Sequence, residues 1–253
     1  MNNIAKLSSE SFEAYPLGWD TEYFEVRSAR VVLKDIIHEA EQDEILDYCS
    51  RFDFVTINNL GNNKENNIWI GKKTKAFLTD MNIQFVKQIN IQSTIVDEFT
   101  NVYNSFPKNE DLLKIAQDAF LYSRFFNDSY LPKKKVQDIY VHWTNCAFNK
   151  SEKYFVITEI NNKVAGYLLF SINVEQSFAT IELIAVDKEF RGQNIGKRLI
   201  SELELFVYGK GIKSIRVGTQ VDNISAARFY NACGFQYTSC NSVYHFWPNE
   251  KIT

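Results

Sequence analysis

The chain has 253 residues, of which 45% are hydrophobic and 23% are charged, and its formal net charge is −3. This composition is that of a globular protein with a buried core, and the length allows one large domain or two smaller ones. The slightly acidic balance argues against a nucleic-acid-binding protein, which normally carries a basic face. The basic run Lys133-Lys134-Lys135 is explained better by the exposed first turn of a helix than by a polyanion site.

The cysteines and histidines give no sign of a disulfide framework or a metal site. The 4 cysteines lie far apart without a CxxC pair, and the 3 histidines show no HExxH or similar spacing. This distribution is typical of a reduced, metal-free protein. The sequence begins without a basic segment followed by an apolar core, and its apolar stretches are too short to cross a bilayer. We therefore expect a cytoplasmic protein whose partners include neither nucleic acid nor a membrane.

The first hundred residues predict short strands mixed with helices. Residues 29–33 are rich in β-branched side chains and residues 52–59 alternate with period two, so both are predicted strands. Residues 38–49 have the charge and apolar spacing of a helix. Residues 62–67 are polar and predict a flexible turn, whereas residues 76–89 alternate again, as one longer strand or two short ones.

A polar stretch separates this part from the rest of the chain. Residues 90–109 contain a proline at 107 and are the predicted passage between two domains, 1–105 and 106–253. Two helices are expected after it, at about 110–122 and 134–148. Aromatic and aliphatic residues recur at helical spacing in the second helix, and a core stripe explains them better than a ligand contact: Val136, Ile139, Tyr140 and Trp143.

From residue 154 onward the pattern is more regular. Strands are predicted at 154–160, 164–172, 179–186, 214–219, 235–238 and 243–247. A strongly amphipathic helix is predicted at 195–208, and a second, shorter helix at 224–233. The order β-β-β-α-β-α-β-β predicts a mixed α/β sheet flanked by helices.

The most informative segment is 181–198, where a strand ends, a glycine-containing loop follows and the amphipathic helix begins. The first N–H groups of a helix have no partner inside it, and with the helix dipole they favour a phosphate or pyrophosphate. Gly192 and Gly196 let the main chain approach such a ligand. Positive charge is added by three side chains, Arg191, Lys197 and Arg198. A nucleotide site or a purely structural glycine turn would show the same pattern.

Two motifs make the segment more specific. Arg191-Gly192-Gln193-Asn194-Ile195-Gly196 resembles the R/Q-x-x-G-x-G/A motif of the GNAT acetyltransferases, with Asn194 in place of the first glycine. Asparagine is the non-glycine residue that best tolerates left-handed backbone angles. The segment from Asn223 to Tyr230, followed by Gly234-Phe235, resembles the family's N-x-x-A-x-x-F-Y…GF element. The resemblance to the GNAT acetyltransferases therefore spans about residues 150–250.

The resemblance implies a GNAT acyltransferase fold with a mixed, mostly antiparallel central sheet. In this fold a bulge splays the third strand, and acetyl-CoA, the co-substrate, lies alongside it. An N–H group of the strand is expected to polarise the thioester carbonyl as an oxyanion hole. The residues implied to bind the cofactor are Ile184, Ala185, Val186, Arg191, Gly192, Gln193, Asn194, Ile195, Gly196, Lys197, Asn223, Ala226, Phe229 and Tyr230.

The resemblance also implies catalytic roles. Tyr230 matches the family tyrosine that donates a proton to the departing thiolate, and a core aromatic on a short helix is the alternative interpretation. Glu182 lies on the strand beside the expected thioester position and is the candidate base. A structural partner of a nearby arginine or lysine, with a water chain as the base, explains Glu182 equally well.

Three short segments resemble the dTDP-fucosamine acetyltransferase group, which acetylates the 4-amino group of a dTDP-linked deoxyamino sugar. They are Leu17-Gly18-Trp19-Asp20-Thr21-Glu22-Tyr23-Phe24, Ser123-Arg124-Phe125-Phe126-Asn127-Asp128 and Tyr140-Val141-His142-Trp143. The resemblance implies an N-terminal, reduced GNAT-like α/β domain and a dTDP-amino sugar as acceptor. Arg124 would pair with the pyrophosphate, and Trp19 or Trp143 would stack on the thymine or sugar. Taken singly, each tryptophan is explained better as a packing residue.

Three functions stay open at this point. The leading hypothesis is a small-molecule N-acetyltransferase for a nucleotide-linked amino sugar. The second is a GNAT acetyltransferase for a protein N-terminus, a polyamine or an antibiotic, and the third is a non-catalytic acyl-CoA-binding regulatory module. Tyr230 together with Asn223 favours an enzyme, because a pure binder needs no proton donor. The oligomeric state is left open, with a homodimer as one alternative.

Overall fold

The computed structural model describes residues 5–90, 98–120 and 122–249. The strands in chain order are β1 (Leu7–Ser8), β2 (Phe12–Pro16), β3 (Ser28–Leu33), β4 (Phe54–Asn59), β5 (Phe77–Gln88), β6 (Thr100–Asn104), β7 (Tyr154–Ile160), β8 (Lys163–Asn173), β9 (Phe178–Val186), β10 (Ser214–Gln220) and β11 (Gln236–Phe246). The helices are α1 (Gly18–Phe24), α2 (Glu39–Cys49), α3 (Lys64–Lys73), α4 (Glu110–Ala119), α5 (Lys133–Ala147), α6 (Ile195–Gly209) and α7 (Ile224–Ala232). Within the described ranges, no helix is long and apolar enough to span a bilayer.

The chain forms two compact units made of alternating segments. Unit 1 comprises Met1–Ile83, Ser123–Val136 and Ser239–Thr253, and unit 2 comprises Gln84–Tyr122 and Gln137–Thr238. The sequence placed a single boundary at residue 105. The structure differs because a middle segment and the end of the chain pack with the N-terminal part, so that β5 and β11 each have residues in both units.

Unit 1 has the strand order β1-β2-β3-β4-β11, in which β3 and β4 are parallel and the other neighbours are antiparallel. Alternate residues of these strands face one side and pack with α2 and α3. The core on this side includes Phe12, Ala14, Val31, Leu33, Ile45, Val55, Ile57 and Ile70. The sequence predicted β3, β4 and α2, but not β1, β2 or α1. That unit 1 is a reduced acetyltransferase domain stays a prediction.

The predicted flexible turn at 62–67 is wrong, because these residues begin α3. The Asn63 side chain accepts hydrogen bonds from the Glu65 and Asn66 N–H groups, at 2.9 and 3.2 Å, and so caps the helix. Asn67 Oδ1 accepts from Ser242 Oγ at 3.0 Å and from Tyr244 OH at 2.9 Å. The asparagine side chains that predicted a flexible turn instead cap a helix and form a hydrogen-bond network within unit 1.

Unit 2 has the strand order β5-β10-β9-β8-β7-β6. Strands β6 to β9 are antiparallel neighbours, whereas β9 and β10 are parallel. One face of the sheet packs against α4 and α5 through Leu112, Ile115, Phe155, Tyr167 and Leu169, among others. On the other face Phe206 of α6 contacts Tyr154 and Phe170. The predicted mixed, mostly antiparallel sheet flanked by helices is confirmed.

Two further differences from the predicted elements concern polar stretches. The predicted passage at 90–109 contains β6, which pairs with β7 from Thr100–Thr158 to Asn104–Tyr154; its residues 91–97 lie outside the described ranges. The two predicted closing strands are one continuous strand, β11, whose pairing with β4 already begins between them, at Ser242 opposite Asn59.

Candidate active site

The parallel strands β9 and β10 of unit 2 separate partway along their length. Their pairing ends at Ile181 and Val217, whereas β9 continues to Val186 and β10 to Gln220. At the same point the pairing of β9 with β8 shifts, so that Glu182 is one extra residue, a β-bulge. A bulge bends and twists its strand, which explains the divergence. Backbone groups on the facing edges beyond the bulge are thereby left for a ligand. The bulge that the resemblance implied is present.

The gap between β9 and β10 opens into a cavity of about 800 Å³. Most residues that the sequence singled out for cofactor binding line it, as does the candidate base Glu182: Ile184, Ala185, Val186, Arg191, Gly192, Asn194, Ile195, Gly196, Lys197, Asn223, Ala226, Phe229 and Tyr230. Gln193 does not, because its side chain turns away and its Nε2 donates to the Glu189 carbonyl at 3.3 Å.

The loop before α6 has the backbone geometry of an anion site. Gly192 has φ +81° and Asn194 has φ 60°, so the asparagine adopts the left-handed conformation that its place in the motif requires. Asn194 is the N-cap of α6, and its carbonyl accepts from the Lys197 and Arg198 N–H groups at 3.0 and 3.1 Å. The earlier N–H groups of the helix have no partner in it and lie at the cavity wall, where they suit a pyrophosphate.

Gly196 has a different role from the one the sequence indicated. A Cβ atom at this position would lie 2.9 Å from Cε2 and 3.0 Å from Cζ of Phe229. These contacts are too close for a side chain, so the glycine allows the start of α6 to pack against α7. The close approach that requires glycine is therefore to the protein itself.

Tyr230 is both a packed aromatic residue and a cavity residue. Its ring lies between Phe85, Phe229 and Phe235, with centroids 5.9, 5.4 and 5.6 Å away, and the residue is only 4% exposed. Burial raises the pKa of its phenol, so the hydroxyl keeps its proton at neutral pH. Within the described ranges the hydroxyl has no hydrogen-bond partner, and Tyr230 lines the cavity. These properties suit a proton donor.

Asn223, at the start of α7, is used in part by the protein. Its Oδ1 accepts from the Ala226 N–H at 3.1 Å and from Ser225 Oγ at 2.9 Å, which caps the helix. Only its amide NH₂ group is then left as a donor for a ligand.

Glu182, the bulge residue, forms an ion pair. Lys153 Nζ donates to Glu182 Oε1 at 2.5 Å, and the two side chains are 26% and 11% exposed. The structural partner that the sequence left open is therefore present. Lys153 lies 29 residues earlier in the chain, and no local pattern in the sequence predicts the pairing.

The three residues predicted to bind the acceptor do not line the cavity. Trp19 and Arg124 belong to unit 1, where Trp19 stacks on Tyr23 with centroids 5.1 Å apart. Arg124 Nη2 lies 3.9 Å from Asp20 Oδ2, and its guanidinium lies 4.0 Å from the Phe125 ring centroid. Trp143 belongs to unit 2 and is 36% exposed.

An aromatic end of the cavity was missed by sequence reasoning. Phe120, Tyr122 and Tyr140 line it, and the rings of Phe120 and Tyr140 stack at 4.5 Å. Trp143 lies parallel to Tyr140 at 6.2 Å, one ring removed from the cavity. Val136 and Ile139 are buried, as a core stripe requires, whereas Tyr140 lines the cavity and Trp143 is partly exposed. Helical spacing alone does not tell a ring on the core from one at the rim of a cavity.

Comparison with known families agrees with this geometry. Residues 110–235 match the model of the acetyltransferase (GNAT) family. Over these residues, which include every residue that lines the cavity, the chain belongs to the GNAT acetyltransferase family. Acetyl-CoA is the co-substrate of this family, and the unpaired strand edges and the start of α6 are the features that fit its pantetheine arm and pyrophosphate.

Individual relatives are distant. The spore coat polysaccharide biosynthesis protein SpsD of Bacillus subtilis is 28% identical over 142 residues, which cover 56% of this chain and 48% of SpsD. The chain thus spans about half of that relative. An uncharacterised N-acetyltransferase of Methanocaldococcus jannaschii is 26% identical over 192 residues, 71% of this chain and 84% of the relative. The solved structure of a GCN5-related N-acetyltransferase from Kribbella flavida covers 96% of this chain, and the chain covers 89% of it. Its TM-score of 0.63 at 9% identity shows a likeness of fold alone.

Proposed function

We propose that the chain transfers the acetyl group of acetyl-CoA to the 4-amino group of a dTDP-linked deoxyamino sugar. The observation that carries the proposal is a single cavity lined both by the start of α6 and by three aromatic residues, Phe120, Tyr122 and Tyr140. Flat aromatic faces suit the ring of a sugar or base and attract a nearby ammonium group. The polysaccharide-biosynthesis name of the relative SpsD supports a sugar acceptor.

The proposed chemistry is direct transfer. The acceptor ammonium loses one proton to Glu182, and the neutral amine attacks the thioester carbonyl carbon. An N–H group beyond the bulge, among residues 183–186, stabilises the oxyanion. When the C–S bond breaks, Tyr230 donates its proton to the thiolate, and the second N–H proton replaces it through water. The protein forms no covalent intermediate.

The nucleotide part of the acceptor requires a cation for its pyrophosphate and an aromatic face for its base. Arg124, Trp19 and Trp143 stay the proposed contacts for the pyrophosphate and the thymine. Trp143 has the better support, because it extends the aromatic end of the cavity by one ring. Arg124 already lies near Asp20, so an added phosphate would have to share its guanidinium with that carboxylate.

The test is the release of free thiol from acetyl-CoA with a panel of amines. We expect a dTDP-linked 4-amino-4,6-dideoxyhexose to be acetylated far more efficiently than the free amino sugar, since binding of the remote nucleotide helps to orient the amine. If Trp143 is the stacking face, Trp143→Ala should remove this preference; if Trp19 is, Trp19→Ala should remove it. Peptides, polyamines or antibiotics that turn over as well as the dTDP-sugar would show that the acceptor assignment is wrong.

A further inference from the structure

The Glu182 carboxylate has one oxygen engaged and one free. Oε1 accepts from Lys153 Nζ, whereas Oε2 has no hydrogen-bond partner among the described residues. Oε2 is also absent from the buried polar atoms that lack a partner, so it is not enclosed by protein. Because Glu182 lines the cavity, this oxygen is available to an acceptor amine.

The main chain of Lys153 is fixed where β7 begins. Its N–H donates to the Lys150 carbonyl at 3.1 Å. Its carbonyl accepts from the Ser105 N–H at 3.3 Å and from Asn104 Nδ2 at 3.1 Å. The loop before β7 is thereby tied to the end of β6. A backbone held in this way directs the long lysine side chain toward β9, so the ion pair is built by the fold.

The environment gives the ion pair a specific task. Glu182 is 11% exposed and follows the apolar Ile181 and precedes Leu183, and an isolated carboxylate is costly in such surroundings. The Lys153 ammonium offsets that cost and restricts the rotamer of the carboxylate. Exposed ion pairs contribute little to stability. A half-buried pair in which the backbone of one partner is fixed can nevertheless hold the other side chain in place.

We infer that Lys153 is a positioning residue for acetyl transfer: by pairing with Oε1 it fixes the orientation of the Glu182 carboxylate, so that Oε2 faces the acceptor amine. Oε2 takes the proton that the acceptor ammonium releases, and the neutral amine then attacks the thioester. Glu182 is thus a structural partner of Lys153 through Oε1 and the base through Oε2. The inference rests on the proposed function, because it requires an amine acceptor.

The test compares Lys153→Met, Lys153→Arg, Glu182→Gln and the double variant, with the full chain and with the amine that the wild type acetylates best. Lys150→Met is the matched control, since it removes the same charge from an exposed residue three positions away. Glu182→Gln should lower kcat by roughly 10²-fold, and Lys153→Met by roughly 10-fold, with KM for acetyl-CoA unchanged. Lys153→Arg should restore most of the activity. The double variant should be no slower than Glu182→Gln alone, because both changes act through one group.

Several results would overturn the inference. They are a wild-type kcat in Lys153→Met, a loss in the double variant that is the product of the two single losses, or a failure of Lys153→Arg to restore activity. Should Lys153→Met not fold, Lys153→Gln makes the same comparison, because it removes the charge and keeps a donor. A wild-type chain that acetylates no amine overturns the proposed function and this inference together. Full activity of Lys153→Met on an amine that the wild type acetylates overturns the inference alone.

Discussion

Tyr230 shows how one residue can satisfy a packing role and a chemical role at once. Three neighbouring rings hold it, and burial raises the pKa of its hydroxyl, so that the hydroxyl is protonated at neutral pH. The two interpretations that the sequence left open for this tyrosine therefore do not exclude each other. The packing fixes the position from which the hydroxyl would donate.

The role of the Tyr230 hydroxyl can be tested without disturbing the packing. Tyr230→Phe keeps the ring, so acetyl-CoA binding should survive while kcat falls by roughly 10²–10⁴-fold. Tyr237→Phe, at an exposed position of β11, is the matched control and should leave kcat unchanged. Steady-state kinetics and calorimetric binding of acetyl-CoA separate the two effects. A kcat within about twofold of the wild type would exclude Tyr230 as the proton donor.

At the scale of elements, the junction of α6 and α7 positions both motifs. Gly196, in the first turn of α6, contacts the ring of Phe229 in α7, so the loop that suits the pyrophosphate and the helix that carries Tyr230 are set by one packing contact. The loop and Tyr230 are therefore coupled through the protein, although we propose that they act on different parts of the cofactor.

Gly196→Ala tests this contact. The added methyl group would lie within 3.0 Å of Phe229, and relieving such overpacking costs about 1–3 kcal/mol. We expect a lower melting temperature without any ligand and a weaker stabilisation by acetyl-CoA. Gly209→Ala, at the end of the same helix, meets no atom within 4 Å and should lower neither quantity. A Gly196→Ala protein that melts at the wild-type temperature without ligand, but is no longer stabilised by acetyl-CoA, would show that this glycine is needed for the ligand itself.

The elements that sequence patterns predicted are those whose cause is local. Period-two alternation found β4, a run of β-branched and apolar residues found β9, apolar helical spacing found α6, and the loop motif found the left-handed Asn194. The helix α3 was missed because its asparagines bond to residues as distant as Ser242. The ion pair of Glu182 and the aromatic end of the cavity depend in the same way on residues brought together only by folding. Most of the candidate cofactor site follows from local motifs, whereas the acceptor site does not.

At the scale of the whole molecule, a buried histidine that is hydrogen-bonded to a carboxylate in unit 1 makes stability depend on pH. His245 Nδ1 lies 2.6 Å from Asp128 Oδ2, and Trp247 Nε1 donates to the same oxygen at 3.1 Å. Burial lowers the pKa of His245 to about 4, against the opposing effect of Asp128 and with a smaller contribution from Arg124. The imidazole is therefore neutral in the folded protein at pH 7 and donates from Nδ1 to the carboxylate.

This histidine should make the protein sensitive to mild acid. Between pH 6.5 and about 4 the unfolded chain binds a proton at His245 that the folded protein does not. The contribution of His245 to the free energy of unfolding should therefore be complete above pH 6.5. It should decrease as the pH falls, by on the order of 3 kcal/mol near pH 4. Denaturant titrations at several pH values measure the slope. His245→Asn should flatten it, whereas His142→Asn, in unit 2, should not. Equal slopes in all three proteins would contradict the assignment.

The division of the chain between its two units sets an order on synthesis. Unit 2 consists of Gln84–Tyr122 and Gln137–Thr238, so its last residue is Thr238. Unit 1, in contrast, needs the residues from Ser239 onward for its final strand. A ribosome releases the chain from its N-terminus, and domains normally fold in that order. Unit 1 therefore cannot be completed before the residues from Ser239 onward have been synthesised, so unit 2 is the first to have all its parts. Until then the edge of β4 that pairs with β11 stays unpaired, and an unpaired strand edge can pair with another chain.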